Sequence, residues 1–272
     1  MSFAEVKKNF GFGCMRLPMQ GEEVGLAQFS QMVDEYLAAG FNCFDTARVY
    51  LGGKSEPAIR ERVAKRYPRE SFLLADKLSS ALFETEEEVR PLFQKQLESC
   101  WVEYFDFYLM HAQGKGYFEK FKKCRAYEQA LELKAEGLIR HVGLSFHDKA
   151  EVLDEILTEY PQMEFVQLHY MGYDGPAIQG RQCCEVCAKH GKSVIVMEPV
   201  KGGNLVKLPE DALRYITDLH GDSPAGYDSR GGRLLWGVYS DNTIFYLHTF
   251  VFPLQQSKMI YFYLMCSQQN IL

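Results

Sequence analysis

The chain has 272 residues, 47% of them apolar, which is enough for one large core, and its formal net charge of −6 gives no electrostatic reason to bind nucleic acid or an anionic membrane surface. The N-terminal MSFAEVKKNFGFG carries no apolar stretch of roughly 7–15 residues behind its basic residues, so no signal peptide is expected, and no segment reaches the roughly 18 uninterrupted apolar residues of a spanning helix. Eight cysteines (Cys14, Cys43, Cys100, Cys124, Cys183, Cys184, Cys187 and Cys266) scattered along a core-rich chain argue for reduced thiols and a cytoplasmic location rather than a disulfide scaffold.

A first strand is expected around GFGCMRLP. The helix that follows, Leu26–Ala39, places Leu26, Phe29, Val33, Tyr36 and Leu37 on one face and stops at Gly40. FNCFD reads as a strand ending at Asp45, and Ser55 is placed to cap the next helix with Pro57 in its first turn. FLLADK ends at Lys77. Val89, Phe93, Leu97 and Cys100 then form a helical stripe, with Pro91 arguing for a start after Thr85. YFDFYLMH ends at His111 and is followed by one expected helix over Phe118–Glu136, ended by Gly137. IRHVGLS ends at Ser145 before a helix over Asp148–Tyr160, and EFVQLH carries Gln167 before a helix over Gln179–His190. SVIVME carries Met197.

The polar strand-end positions 45, 77, 111, 145, 167 and 197 are separated by 32, 34, 34, 22 and 30 residues, about one βα unit each. Connections of this kind require parallel strands, and seven such units point to a TIM-type (β/α)8 barrel. An open doubly wound sheet is the alternative, but the first strand lacks the G-x-G-x-x-G turn. The pattern holds to about Ala225. Residues 226–272 carry only five charged side chains (Asp228, Arg230, Arg233, Asp241 and Lys258) and ten aromatic ones, and IFYLHTFVFPL and MIYFYLM show no helical amphipathicity. The expectation is a barrel domain over 1–225, incomplete in its last one or two βα units, with an aberrant tail. A reading-frame slip after Pro224–Ala225 would produce such a tail.

Asp45, Lys77 and His111 close successive strands, and Tyr50 lies five residues beyond the first of these. Reducing a carbonyl requires a hydride at carbon and a proton at oxygen. A phenol is a weak acid, a neighbouring ammonium lowers its pKa toward working pH, a carboxylate can hold the lysine, and an imidazole can direct the carbonyl oxygen. No side chain supplies hydride, so a cofactor must.

FDTARVYLGGKSE at 44–56, the lysine of LLADK and DFYLMH at 106–111, in this order, resemble the aldo-keto reductase superfamily. HGKSVIVMEPVKGG at 190–203 is most similar to its bacterial branch with iron–sulfur-containing members. The four-cysteine motif of that branch is absent, so no cluster is expected. The resemblance implies an NADPH-dependent oxidoreductase acting on small aldehydes or ketones, with NADH as the alternative cofactor. It makes Tyr50 the general acid/base, tuned by Lys77 and Asp45, with His111 orienting substrate. It also assigns Gly13, Cys14, Met15, Asp45, Ser145, Gln167 and Met197 to the cofactor, with Ser145 and Gln167 at the nicotinamide amide and Met197 at the ring; Lys201, by its place near the end of the seventh strand, is a further candidate for the cofactor phosphate. The phosphate-gripping loop expected late in such a chain is not recognisable in SPAGYDSRGGRLLWGVYSDN.

Plainer readings stand beside these. Each of the four polar residues has a structural explanation on its own, and small polar residues such as Ser145 and Gln167 often satisfy buried backbone groups. His141, His147 and His169 read as structural histidines. Cys183, Cys184 and Cys187 read as buried thiols, since no fourth ligand at metal spacing is apparent. Two alternatives to the enzyme remain: a non-catalytic cofactor-binding regulatory barrel, and a reductase inactive through its defective C-terminus. Oligomeric state is not legible.

Overall fold

The computed structural model describes residues 3–169, 180–198 and 243–248. Strand β1 (Phe10–Gly13) leads through a short 3-10 turn at Cys14–Arg16 and a small hairpin, β2 (Met19–Gln20) and β3 (Glu23–Val24), into helix α1 (Leu26–Ala38). Strand and helix then alternate: β4 (Cys43–Asp45), α2 (Ser55–Ile59), β5 (Leu73–Leu78), α3 (Glu86–Cys100), β6 (Phe105–Gln113), α4 (Lys115–Lys123), α5 (Ala126–Ala135), β7 (Ile139–Phe146), α6 (Ala150–Glu159), β8 (Phe165–His169), α7 (Gly180–Lys189) and β9 (Ser193–Met197). Each strand from β4 to β9 pairs in parallel with the next, and β4 also pairs with β1. The remaining gap is taken by β10 (Thr243–His248), which pairs in parallel with both β9 and β1 and closes the barrel. That strand lies inside the charge-poor tail, where no strand was read from the sequence. The remainder of 226–272, the residues flanking the suggested frame slip and Lys201 all lie outside the described residues.

Period-two alternation sorts the strand side chains. Cys43, Leu73, Ala75, Phe107, Leu109, Phe165 and Ile195 fill the interior, while the larger cluster lies between the strands and the helices. Phe3 plugs the floor edge-on to Phe107, at 5.0 Å between ring centroids. His141 pins this N-terminal segment, with Nε2 2.6 Å from Glu5 Oε1 and Nδ1 2.9 Å from Glu164 Oε2. Beside it, β7 has no room for a side chain at Gly143: a Cβ there would sit 2.5 Å from the Phe165 carbonyl oxygen and 2.7 Å from its ring.

Two local expectations are corrected. The single helix over 118–136 is two helices, broken where Arg125 takes a left-handed conformation (φ 48°) that an α-helix cannot continue. Gln129 Nε2 donates to the carbonyls of Cys124 and Glu86 at this break. Ser55 does not cap α2. As the first residue of that helix, it donates its hydroxyl to the Cys14 carbonyl at 3.0 Å and pairs with Thr46 Oγ1 at 2.7 Å, tying the loop before α2 back to β1. Thr85 does cap α3, in a reciprocal box with Glu88, and this leaves Pro91 in the early turns of that helix.

On the outer face of β5, Asp76 is fully buried against Glu56 of α2, within hydrogen-bonding reach of it. Asp76 Oδ1 accepts the Lys77 amide at 2.7 Å, and Glu56 Oε2 accepts from Arg48 at 2.6 Å. Burial raises the pKa of both carboxyls, and for Asp76 the facing Glu56 raises it further. The native state therefore keeps a proton here that the unfolded chain has already lost.

Gly143→Ala is expected to lower the unfolding free energy by about 1–3 kcal/mol in denaturant titration, the usual cost of overpacking; an unchanged midpoint would show the barrel wall has slack. For the acid pair the sign is fixed by the raised pKa values. Stability contributed by the retained proton falls as pH rises from the ordinary carboxylate range through the raised native values. Asp76→Asn keeps the acceptor for the Lys77 amide and can donate to Glu56. It should flatten this decline and raise Tm at neutral pH, by about 2–4 °C for each kcal/mol of relief. A variant that melts lower at neutral pH would contradict the shared proton.

Candidate active site

The parallel register delivers the polar strand-end residues to one rim. Gly13 lies beside Asp45, Lys77 beside Leu109, Ser145 beside Gln167, and Met197 beside His169. Asp45, Lys77, Ser145 and Gln167 are each no more than 1% exposed, a degree of burial that polar groups tolerate only when paired. They are paired. Lys77 Nζ donates to Asp45 Oδ1 at 2.6 Å and to the Thr46 carbonyl at 2.7 Å, and Gln167 Nε2 donates to the other carboxylate oxygen of Asp45 at 3.1 Å.

Tyr50 is carried on a loop that reverses immediately after it. Leu51, Gly52 and Gly53 have φ of 54°, 63° and 89°, a left-handed run for which glycine is suited in two of its three positions. The reversal lays the Tyr50 ring 4.8 Å from Lys77 Nζ, with its hydroxyl in hydrogen-bonding reach of the ammonium, and 5.8 Å from the His111 ring, edge to face. The structure therefore brings Asp45, Tyr50, Lys77 and His111 together.

The electrostatics differ from the sequence expectation in one respect. Lys77 was expected to bring the phenol's pKa down toward working pH. It does pull in that direction, but burial outweighs it and the Tyr50 pKa is pushed up to about 12. Tyr50 is thus protonated at neutral pH. For Lys77 burial opposes the charge, yet Asp45 and Tyr50 more than compensate and its pKa lies above the ordinary lysine value.

Around this centre, Ser145 Oγ accepts the Ala112 amide at 2.7 Å and supports Ala112 in a left-handed conformation (φ 54°), inside the register shift between Met110 and Gln113 of β6. The plainer reading of Ser145 thus holds at its acceptor, while its hydroxyl proton remains for a ligand. Gly13 ends β1. The Cys14 side chain is buried rather than turned to the open rim, its thiol pKa raised by burial and then by Asp45. Met15 is half-buried and Met197 buried.

Several residues not singled out in the sequence support the site. Gln96 of α3 donates to the Lys77 carbonyl at 3.0 Å and accepts from Tyr108 at 2.6 Å. Ser79 Oγ lies 2.6 Å from His111 Nδ1. Its position two residues past Lys77, hence on the same face, was the one sequence signal available. Arg16 reaches across the mouth to Glu198 at 2.7 Å. The CC-x-x-C segment lies on α7 with Cys183 and Cys187 in the core.

The aldo/keto reductase family model matches residues 9–225, ending at the residue where the charge pattern changes. Among curated proteins, the chain is 26% identical over 210 residues to the uncharacterized oxidoreductase YqkF of Bacillus subtilis, covering 74% of this chain and 63% of that one. It is also 26% identical over 223 residues to a glyoxal reductase of the same organism, covering 79% and 71%. Among solved structures, an aldo/keto reductase from Klebsiella pneumoniae in complex with NADP and acetate shares the fold at a TM-score of 0.69 with 16% identity, covering 97% of this chain and 86% of that one. A Bacillus halodurans aldo-keto reductase in its holo form does so at 0.69 with 20% identity, covering 92% and 86%. With barrel, rim and family model in agreement, this chain belongs to the aldo/keto reductase family.

Proposed function

We propose that the chain is a nicotinamide-dependent oxidoreductase that reduces an aldehyde or ketone to the alcohol, with Tyr50 as proton donor. The observation that carries this reading is the Lys77 ammonium held between the Asp45 carboxylate at 2.6 Å and the Tyr50 ring at 4.8 Å, in a buried rim. Tyr50 holds its proton until the carbonyl oxygen gains charge. When the proton passes to that oxygen, the nearby ammonium stabilises the phenolate left behind, and solvent reprotonates it after the alcohol leaves. Asp45 keeps Lys77 charged and in place. His111, beside the phenol, orients the carbonyl oxygen.

The residues present fit a nicotinamide cofactor. Gln167 Nε2 donates to Asp45, which turns the amide so that its Oε1 can accept from a carboxamide N–H. Ser145 accepts from Ala112, which leaves its O–H to donate to a carboxamide oxygen. Met197, together with the Gly13–Met15 turn, would border the ring. When bound, the cofactor supplies the hydride that no side chain can. NADPH is the preferred form, in keeping with the NADP and NADPH complexes of the Klebsiella proteins that share the fold. Lys201 would serve its phosphate.

Small carbonyl compounds are the substrate class, in keeping with the glyoxal reductase among the relatives. A reducing, cytoplasmic setting suits the seven described cysteines, none of which is in a disulfide. Among the described residues no helix is long and apolar enough to cross a membrane.

The test is NADPH oxidation by the purified chain over a panel of simple aldehydes and quinones. Wild type is expected to turn over. Tyr50→Phe should lose turnover by about 10²–10⁴-fold, the usual contribution of a positioned acid, while NADPH fluorescence titration remains nearly unchanged. Equal turnover in the variant would remove Tyr50 from the chemistry, and NADPH binding without turnover on the whole panel would favour a regulatory barrel.

A further inference from the structure

β5 does not stop contributing to the site at Lys77. Ser79 continues the extended backbone (φ −95°, ψ 127°), so its side chain emerges on the same face as Lys77, and it is 4% exposed. Its hydroxyl meets His111 Nδ1 at 2.6 Å across the β5–β6 pair. The backbone of His111 is fixed independently: Gln113 Nε2 donates to its carbonyl at 3.1 Å, and the following residue is held by Ser145. The serine contact therefore acts on the ring rather than on the chain path.

A neutral imidazole carries its proton on one nitrogen only, and the partner of the other nitrogen selects which. We infer that Ser79 is a positioning residue whose hydroxyl donates to His111 Nδ1, which fixes the imidazole proton on Nε2 and turns the ring into a hydrogen-bond donor toward the substrate carbonyl. The inference rests on the reductase reading above for its purpose but not for its geometry. A carbonyl oxygen gains negative charge as hydride arrives, so an N–H directed at it stabilises the transition state more than the ground state. The opposite tautomer would aim a lone pair at the developing oxyanion. On the site side of the ring, Tyr50 packs edge to face against it, and beyond Tyr50 lies the Lys77–Asp45 pair. A serine serves because its hydroxyl can donate to the neutral ring and accept from the protonated one, so the contact survives changes in His111 charge.

Long-range ¹H–¹⁵N correlation spectra of histidine-labelled protein test this directly, with the His111 signals assigned through His111→Asn. The wild-type ring should show a protonated Nε2 and an unprotonated Nδ1 near pH 8. Ser79→Ala should mix or reverse the tautomers and lower kcat/KM for a simple aldehyde by about 10–100-fold, the magnitude known for removing the partner that orients a metal-bound histidine. NADPH affinity should stay within about twofold, an order-of-magnitude bound for a site that retains its cofactor contacts. Ser79→Thr, which keeps a hydroxyl, should recover the Nε2–H signal and most of the lost rate. A wild-type ring protonated on Nδ1 would overturn the inference without any variant, and so would a Ser79→Ala ring with unchanged tautomer or an unchanged kcat/KM. Because the spectrum does not depend on turnover, a chain inactive on all aldehydes would refute the reductase reading while leaving the tautomer assignment separately decided.

Discussion

An ion pair with essentially no solvent exposure organises this molecule's rim. Asp45 is 0% exposed and Lys77 1%, and removing both charges from water costs several kcal/mol that their mutual attraction repays only with good geometry and further hydrogen bonds. Both conditions are met. Each Asp45 oxygen has a donor, from Lys77 and from Gln167, while the ammonium is shared among Asp45, the Thr46 carbonyl and Tyr50. These partners come from β4, the loop after it, β5 and β8. The pair can therefore form only when the barrel's parallel register is correct, and the register in turn places every other polar strand end at the same mouth. The surrounding shell follows the same logic, with Gln96 holding the Lys77 carbonyl and the Asp76–Glu56 pair holding its amide from outside.

That arrangement changes the role assigned to the lysine. A solvent-exposed phenol beside an ammonium would be acidified. Here the burial that excludes water also penalises phenolate, and burial is the stronger effect. The resting site is consequently a protonated phenol beside a fixed positive charge. The lysine matters most once the proton has moved, when it faces a phenolate in a dry pocket where charge interactions are least screened.

Much of this was legible in the sequence, for a simple reason. Parallel barrel strands are covered on both faces, so they appear as short apolar runs, and a polar residue at or near the end of such a run stands out. FLLADK, YFDFYLMH, EFVQLH and SVIVME gave their strands and rim residues in this way. The same property hid the eighth strand. TIFYLH looks like any buried strand, but it sits in an aromatic, charge-poor segment that lacks the alternating helix and the polar strand end. The split at Arg125 was not legible either, because no glycine or proline marks a left-handed residue there and the Cys124 carbonyl it exposes is satisfied by Gln129, from another turn. Ser55 carried a capping signal, but its hydroxyl had a better use in joining β1 to the Tyr50 loop. Ser79 drew no reading from the sequence because its partner is 32 residues away.

The measurement that bears most directly on the central claim is a double-mutant cycle in unfolding free energy between Asp45→Asn and Lys77→Met. If the buried pair organises the rim, each single change strands a charge or a polar group and costs about 3–5 kcal/mol, whereas the double variant costs less than the sum by about 0.5–3 kcal/mol. Single effects that add to within about 0.3–0.5 kcal/mol would show that the two side chains act independently, and the account built on their pairing would fail.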